Sequence, residues 1–494
     1  MEQESLLPAG GEQVQVRLEK IGLLRQSGHL PYAARYERTH TLAAALALEP
    51  GTQGVRLAGR VVSFRSFGKL AFGHLYDLDA KVQFALQKNT LGDSFTLFHK
   101  GVDVGDFVGV EGEMMVTRTG ETTLNVTSWT FLSKTLRPLP EKFHGVSDPE
   151  LRLRRRYLDL ITSPESRDRF RTRTRVIRTI RTFLDNNGFL EIDTPVLTNK
   201  ACGALARPFV TRNHALDLDV FLRIAPETYL KRAIAGGFDR VYEFARSFRN
   251  EGVDASHLPD FTLLEYYCAY WDYRDNMEFT QRLIKHLLVE IKGEEALTFG
   301  SKRCDCSGEW PRISFRDLLL RDCGIDIDAH PARESLWQAL QVAGITFDDD
   351  VDVAGAGRGT LIDLLYKKVS RPQIVNPLFV THHPLDLSPL ARSSDDNALV
   401  VDRFQLVMNG WEIVNAYSEL VDPVEQARRF EQQASARARG DTETMDVDKD
   451  FLLCMEYGMP PISGWGMGID RLVALLTDAH TLRDVVLFPL LRPQ

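Results

Sequence analysis

Residues that suit nucleotide binding are concentrated in one stretch of the chain, residues 241–270. Arg249 and Glu251 stand where a strand pattern gives way to a polar loop, and Phe261 stands where the next strand pattern begins. Arginine binds phosphate through paired hydrogen bonds and also stacks on aromatic planes. Phe261 offers a ring to a purine, and Glu251 offers a carboxylate to its exocyclic amine. Taken alone, however, the stretch is explained as well by an ordinary hairpin with exposed charge.

The second strand of this pair carries an unusual set of side chains on one face. Successive side chains of a strand point to opposite faces, so Phe261, Leu263, Glu265 and Tyr267 share a face. A ring for stacking, an acid and a phenol in one row make an odd hydrophobic core. The same row makes a reasonable surface for a ligand.

A second arginine follows a run of alternating glycines near the end of the chain. Residues 464–471 read GWGMGIDR, with glycine at every second position before Arg471. This spacing predicts a strand whose backbone is closely approached, followed by a helix that opens beside Arg471. It is not the glycine spacing of dinucleotide-binding folds, and no P-loop sequence is present.

Two more acids, Glu412 and Glu419, lie on a predicted late strand. Magnesium is usually held by one or two carboxylates together with phosphate oxygens, so Glu412 is a candidate Mg²⁺ ligand. Combined with Arg249, Arg471 and Phe261, these acids predict an ATP site on an antiparallel sheet.

Composition sets limits on the class of protein. The 494 residues are 44% hydrophobic with a net charge of -8, which is typical of a globular chain of two or more domains. The six cysteines are scattered, so no disulfide framework is expected, and Cys304-x-Cys306 lacks the second pair that a zinc site would favour. No signal peptide pattern and no membrane-spanning apolar run is visible, so we expect a cytoplasmic protein that does not bind membranes.

The elements before residue 140 predict a small barrel. Residues 12–48 have a helical pattern, and five short strands separated by turns follow between residues 54 and 132. Five strands in this length suit an OB-fold, which often binds single-stranded nucleic acid by base stacking. Phe72 is the candidate stacking residue, with Arg65, Gln83 and Glu121 as polar contacts, although a phenylalanine in a strand is more often a core residue.

Three motifs in a fixed order point to a family. Thr194-Pro195 lies within GFLEIDTPVL, residues 247–252 read SFRNEG with Phe261 beyond, and residues 464–471 read GWGMGIDR. Over nearly its full length the chain resembles the class II lysyl-tRNA synthetases, bacterial type, of the aspartyl, asparaginyl and lysyl subgroup. The three stretches match the motifs 1, 2 and 3 of that class.

The resemblance implies an α+β fold: an N-terminal OB-fold β-barrel, then a class II catalytic domain built on an antiparallel β-sheet flanked by helices. The implied domains are a helical extension over 1–50, the anticodon-binding OB-fold over 51–136, a linker over 137–165 and the catalytic domain over 166–494. Motif 1 implies a homodimer, and the barrel residues Arg65, Phe72, Gln83 and Glu121 fall where the lysyl enzymes contact the anticodon.

The predicted amino-acid pocket is acidic. The positions that resemble amino-acid contacts are Gly203, Glu227, Glu265, Tyr267, Asn415, Tyr417 and Glu419. Three of them are acids and none is basic, which suits lysine because a buried ammonium without a partner is costly. By analogy Glu227 takes the α-amino group, while Glu265 and Glu419, with Tyr267, hold the ε-ammonium.

The implied reaction has two steps: the lysine carboxylate attacks the α-phosphate of ATP, and the 3′ end of lysine tRNA then accepts the lysyl group. Arg249, Arg471 and Glu251 are the predicted catalytic residues. The predicted ATP contacts are Arg249, Glu251, His257, Phe261, Glu412 and Arg471. The family's Mg²⁺ would be bound with ATP by Glu412, and Gln405 stands where a second metal-binding glutamate is usual.

Three departures from the family pattern keep an alternative open. Besides Gln405, Cys202 replaces the first glycine of a Gly-Gly-Ala loop, and Leu258 replaces the Asn that usually follows His257. The alternative is a synthetase-like paralogue that lysylates a protein, or one that has lost catalysis and binds RNA. The N-terminal barrel opposes the first form, and intact Arg249, Glu251 and Arg471 oppose the second.

Overall fold

The computed structural model of the protein describes residues 11–77, 79–140, 148–200, 202–204, 206–252, 254–347, 353, 356–438 and 448–493. The chain divides into two compact units, Met1–Arg167 and Asp168–Gln494. Among the described residues, no helix combines the length and the apolar character needed to cross a membrane.

The first unit is built around a closed five-stranded barrel with the strand order β1-β2-β3-β5-β4. Its elements are α1 Glu12–Gln26, α2 Leu42–Ala45, β1 Val55–Phe67, β2 Leu70–Tyr76, β3 Lys81–Gln87, α3 Lys88–Leu91, α4 Asp93–Gly101, β4 Phe107–Val116, β5 Thr122–Ser133, α5 Pro149–Arg154 and α6 Arg156–Thr162. The five strands predicted from alternation are therefore present, and closure leaves the barrel without an unpaired edge.

The barrel interior is filled by the side chains on the inward-facing side of each strand. Val55, Leu57 and Val61 alternate with half-buried residues along β1 and are buried with the other apolar residues of the barrel. The N-terminal helical prediction over residues 12–48 is wrong in extent, because α1 ends at Gln26 before Gly28, whose φ of 78° ends the helix. Leu24 of α1 packs into the barrel core.

The second unit is organised on an eight-stranded sheet with the order β14-β15-β16-β17-β18-β11-β10-β6. Its helices are α7 Pro164–Asn186, α8 Glu227–Ala235, α9 Tyr273–Lys292, α10 Phe315–Cys323, α11 Arg333–Val342, α12 Arg358–Leu365, α13 Pro423–Ala438, α14 Lys449–Glu456 and α15 Ile469–Leu476. Its strands are β6 Leu190–Glu191, β7 Leu197–Thr198, β8 Val210–Asn213, β9 Leu218–Leu222, β10 Arg240–Phe248, β11 Asp260–Ala269, β12 Ala296–Phe299, β13 Lys302–Asp305, β14 Arg312–Ser314, β15 Leu378–Pro384, β16 Val400–Met408, β17 Trp411–Ser418 and β18 Ile462–Gly468.

The central strands of this sheet run antiparallel, and their register aligns polar side chains in a row. Glu265 of β11 pairs with Glu243 of β10 on one side and with Gly466 of β18 on the other. Gly466 in turn pairs with Asn415 of β17. Hydrogen bonding between strands therefore places Glu265 and Asn415 across a glycine, with no side chain between them.

The two faces of the sheet have different roles. Leu264, Tyr266 and Cys268 of β11 are buried in the main hydrophobic core, together with apolar residues of α9 and α15. The intervening residues Phe261, Leu263 and Glu265 line a cavity instead. Because strand side chains alternate, one face of the sheet carries the core and the other carries the candidate site.

Candidate active site

A cavity of about 420 Å³ lies on the polar face of the eight-stranded sheet. Most residues predicted to bind ligands line it: Gly203, Glu227, Arg249, Glu251, His257, Phe261, Glu265, Glu412, Asn415, Tyr417 and Arg471. Gln405, Tyr267 and Glu419 are buried and are not among its lining residues. Segments that are more than 200 residues apart in sequence are thus brought to one site.

One end of the cavity carries cationic groups. The Arg249 guanidinium lies 5.0 Å from the centre of the Phe261 ring, and its Nε has no hydrogen-bond partner among the described residues. Arg471 Nη2 lies 3.3 Å from Nε2 of His257, whose Nδ1 is held 2.9 Å from Asp254. Two guanidiniums beside an aromatic ring form a site for an anion attached to a flat base.

Glu251 links this end to a neighbouring loop. Its carboxylate accepts a hydrogen bond of 3.2 Å from the backbone N–H of Arg207, and the N–H of Asn250 donates to the Arg207 carbonyl. The segment around Arg207 therefore fixes the position of Glu251 at the cavity wall.

The predicted metal ligands form one hydrogen-bonded pair. Gln405 of β16 donates from Nε2 to Oε2 of Glu412 on β17, at 3.1 Å. Among the described residues no three His, Cys, Asp or Glu side chains are grouped as metal ligands. One carboxylate and one amide do not form a complete cage, but they suit a Mg²⁺ ion that arrives with phosphate oxygens as its other ligands.

Three carboxylates are buried at the other end of the site. Glu227, Glu265 and Glu419 are only 5%, 6% and 2% exposed. Water therefore cannot solvate these carboxylates, and protein groups must offset the cost of burying their charge. Tyr417 donates from its hydroxyl to Oε1 of Glu227 at 2.9 Å, and Tyr267 donates to Oε2 of Glu265 at 3.1 Å. The predicted acids and phenols are therefore brought together, with Tyr417 hydrogen-bonded to Glu227 and Tyr267 hydrogen-bonded to Glu265.

A lysine that sequence reasoning missed lies within this group. Nζ of Lys231, a residue 2% exposed, is 2.6 Å from Oε1 of Glu227 and 2.5 Å from Oε2 of Glu419. None of the seven predicted contacts is basic, and the structure adds Lys231 as a cation beside two of the acids. Glu227 and Lys231 are four residues apart on α8 and so share a face, which is the local part of this contact.

Positive charge remains scarce around these acids. Burial raises the pKa of Glu419 to about 8, although the Lys231 ammonium opposes the rise. Burial, followed by the charge of Glu227, raises the pKa of Glu265 well above its ordinary value. For Lys231, burial would lower the pKa, but the charges of Glu227 and Glu419 outweigh it and raise the pKa. The pocket can therefore accept additional ammonium groups.

Arg403 is a second residue that the sequence analysis missed. It lies on β16 opposite Tyr417, lines the cavity, and donates from Nε to Oδ1 of Asn415 at 2.8 Å. It also donates to the hydroxyl of Ser388 at 2.7 Å. Arg403 thus fixes the Asn415 amide, and no local sequence pattern marks this contact.

Two of the departures from the family pattern have structural explanations. Leu258 is 8% exposed and belongs to the main hydrophobic core, so an apolar residue is suited to that position. Cys202 has its sulfur 3.5 Å from the Thr228 hydroxyl and 3.4 Å from Oδ2 of Asp448. Burial raises the pKa of the Cys202 thiol to about 12, so this sulfur is a neutral packing group.

The predicted contacts on the barrel also lie together. Arg65 and Phe72 are paired directly across β1 and β2, and Gln83 donates to Oε2 of Glu121 at 2.6 Å. Phe72 is half-buried and lies outside the barrel's hydrophobic core cluster, with its ring centre 6.5 Å from that of Phe67. The barrel therefore presents Arg65 and Phe72 as cross-strand neighbours, and Gln83 and Glu121 as a hydrogen-bonded pair.

Comparison with known proteins agrees with this fold and geometry. The family model described as tRNA synthetases class II (D, K and N) matches residues 148–492, and the model described as OB-fold nucleic acid binding domain matches residues 55–132. The chain belongs to the class II tRNA synthetases of this D, K and N group.

The curated relatives of the chain reported below are all named lysine–tRNA ligase. The protein is 44% identical over 486 residues to the lysine–tRNA ligase of Pelotomaculum thermopropionicum, covering 98% of this chain and 95% of that protein. It is 43% identical to the lysine–tRNA ligase of Carboxydothermus hydrogenoformans, covering 98% of both proteins. It is 42% identical to that of Moorella thermoacetica, covering 99% of both.

Gly464 is predicted to be essential for the acidic end of the site. A methyl group at this position would overlap Oε1 of Glu419 and the ring of Tyr267, whereas at Gly466 the nearest atom is 3.7 Å away. We expect Gly464→Ala to lower the free energy of unfolding of the second unit by about 1–3 kcal/mol, the usual cost of overpacking. Gly466→Ala is the matched control, and denaturant unfolding of both variants is the measurement. Equal stability of the two variants would contradict the packing described around Glu419.

Proposed function

We propose that the chain activates L-lysine with ATP to form lysyl-adenylate and pyrophosphate, and then transfers the lysyl group to the 3′ end of lysine tRNA. The observation that carries this proposal is the group of three buried carboxylates, two of which, Glu227 and Glu265, line the same cavity as Arg249 and Arg471. Full-length similarity to proteins named lysine–tRNA ligase supports the same substrate.

Adenylate formation requires positioning and charge stabilisation more than proton transfer. The lysine carboxylate is already a nucleophile, so no general base is needed for its attack on the α-phosphate. Arg249 and Arg471 stabilise the charge that develops on the phosphate oxygens, and Phe261 stacks on the adenine. Glu251 accepts a hydrogen bond from the adenine amine, and His257 contacts the outer phosphates.

Lysine is selected by its two ammonium groups. Glu227 binds the α-ammonium, and Glu265 and Glu419 bind the ε-ammonium with Tyr267. Gly203 has a φ of 90°, and a Cβ added there would lie 3.2 Å from the Cβ of Glu227, so a larger residue would crowd the lysine site. Asn415 and Tyr417 complete the walls of the lysine site.

Mg²⁺ bound with ATP is the implied cofactor, and it would neutralise phosphate charge. Glu412 would hold it through a carboxylate oxygen, with the Gln405 amide oxygen as a second ligand. Gln405 is neutral where the family usually carries a glutamate, so the protein supplies less negative charge to the ion. ATP phosphates then contribute more of the binding.

The barrel is proposed to bind the anticodon of lysine tRNA. Phe72 stacks on a base, and Arg65, Gln83 and Glu121 hydrogen-bond to base edges. The boundaries 1–50, 51–136, 137–165 and 166–494 remain the proposed functional division. A homodimer through motif 1 is also proposed, supported by the exposed apolar side chains of Leu190, Val196 and Leu197 close to Thr194-Pro195.

The alternative, a paralogue that lysylates a protein or binds RNA without catalysis, is not favoured. The match to an OB-fold nucleic acid binding domain over residues 55–132 argues against the first form. The two arginines and Phe261 at the cavity wall argue against the loss of catalysis.

ATP–pyrophosphate exchange tests the proposed function directly. The purified protein is expected to exchange pyrophosphate in the presence of L-lysine and Mg²⁺ without tRNA, because activation does not involve tRNA. The assay is run with each of the twenty amino acids. Exchange with aspartate or asparagine but not with lysine would contradict the assignment, and no exchange with any amino acid would favour the RNA-binding alternative.

Phe72→Ala is expected to separate the two steps. Loss of a base–aromatic stack should weaken tRNA binding by about 1–3 kcal/mol, seen as a higher KM for lysine tRNA. Exchange without tRNA should keep its wild-type rate, because the barrel is a separate unit. Tyr32→Ala is the control, because it removes another exposed ring of the same unit. Tyr32 pairs with Ser133 at the C-terminal end of β5. A stability loss with unchanged KM for tRNA would mean that Phe72 only packs in the barrel.

A further inference from the structure

Lys231 is an amine of the protein itself that lies at the acidic end of the site. Nζ lies between Glu227 and Glu419, at 2.6 and 2.5 Å. The rings of Tyr267, Tyr417 and Phe451 each have their centres 5.8 Å from Nζ. Two carboxylates and three aromatic faces are the partners that a protein uses to bind a free alkylammonium.

The pair geometry makes this ammonium a fixed part of the site. Among the described residues, Lys231 is the only cation within 4.0 Å of the Glu227, Glu265 and Glu419 carboxylates. Removing one partner of a buried ion pair leaves an uncompensated charge, which is strongly unfavourable. Displacement of Lys231 by a lysine substrate would leave the Lys231 ammonium buried without its two carboxylates. The substrate therefore binds with Lys231 in place.

The ion pairs also determine which oxygens remain for a substrate. Oε1 of Glu227 is shared by Lys231 and the Tyr417 hydroxyl, which leaves Oε2 of Glu227. Neither oxygen of Glu419 has a hydrogen-bond partner among the described residues, but Oε2 is ion-paired with Lys231, whereas Oε1 has no ion pair and lies against Gly464. One oxygen of each acid is thus held by Lys231, and the other is oriented but unpaired.

We propose that Lys231 is a positioning residue for lysine binding, whose ammonium bridges Glu227 and Glu419 so that each presents one free oxygen to a substrate ammonium. The inference rests on the proposed function and goes beyond it by adding a residue that does not contact the reacting atoms. It also accounts for the charge: three acids and one built-in ammonium leave two negative charges, which matches the two ammonium groups of lysine, while the lysine carboxylate is the group that reacts with ATP.

Deletion and chemical replacement of this ammonium test the proposal. Lys231→Ala removes a fragment with the atoms of n-propylammonium, so that compound is the probe, and 1-propanol is its uncharged analogue. The full-length variant is expected to raise KM for lysine in pyrophosphate exchange by about 100-fold, the loss expected when a buried pair is broken. KM for ATP should not change, and n-propylammonium, but not 1-propanol, should lower the KM for lysine again.

Two controls separate positioning from general stability. Lys367→Ala breaks another lysine–acid pair at four-residue spacing, with Asp363, but this lysine is half exposed and distant from the acids, so both KM values should stay at wild type. Thermal unfolding is measured for each variant with and without each compound. If Lys231→Ala folds poorly, n-propylammonium but not 1-propanol should raise its unfolding midpoint.

The outcomes are distinguishable from failure of the proposed function, because wild-type exchange with lysine is measured first. If the wild type uses lysine and Lys231→Ala keeps its KM for lysine, the inference is overturned while the function stands. If KM rises but n-propylammonium neither lowers it nor stabilises the variant beyond 1-propanol, Lys231 is a packing residue only. n-Propylammonium can also compete with lysine for the acids. Its effect on the KM for lysine of the wild type is therefore measured at the same concentrations and used to correct the KM of the variant.

Discussion

Burial of three carboxylates in one pocket is the constraint on which the site depends. Glu227, Glu265 and Glu419 are almost completely removed from water, and a charged carboxylate is stable there only beside cations or hydrogen-bond donors. Lys231 and two tyrosine hydroxyls supply part of that compensation. The raised pKa values of Glu265 and Glu419 indicate that the compensation is incomplete, so the pocket can accept further ammonium groups.

The antiparallel sheet makes this arrangement possible. Register across β11, β18 and β17 places Glu265 and Asn415 on either side of Gly466. Gly464 pairs with Tyr267 on one side and Tyr417 on the other, and a larger residue there would collide with Glu419. The alternating glycines of β18 therefore create the space that the acidic side chains occupy, while Arg471 near the start of α15 places its guanidinium beside His257.

Much of this could be predicted from the sequence, because strand alternation and motif order are local signals. Alternation identified the face of β11 that carries Phe261 and Glu265, and turn spacing identified the five strands of the barrel. The predicted helix over residues 12–48 failed because Gly28 and Pro31 interrupt a charged, weakly periodic segment. Arg403 was missed because its contact with Asn415 comes from strand pairing, and Lys231 because its second partner, Glu419, is distant in sequence.

The most direct test of the charge argument is equilibrium binding of L-lysine and L-norleucine to the wild-type protein. Norleucine has the same backbone and the same four side-chain carbons but no ε-ammonium. If the buried acids select the substrate through its ε-ammonium, lysine should bind at least about 100-fold more tightly than norleucine, since norleucine cannot form the buried ion pair. Equal affinities for the two amino acids would contradict the account.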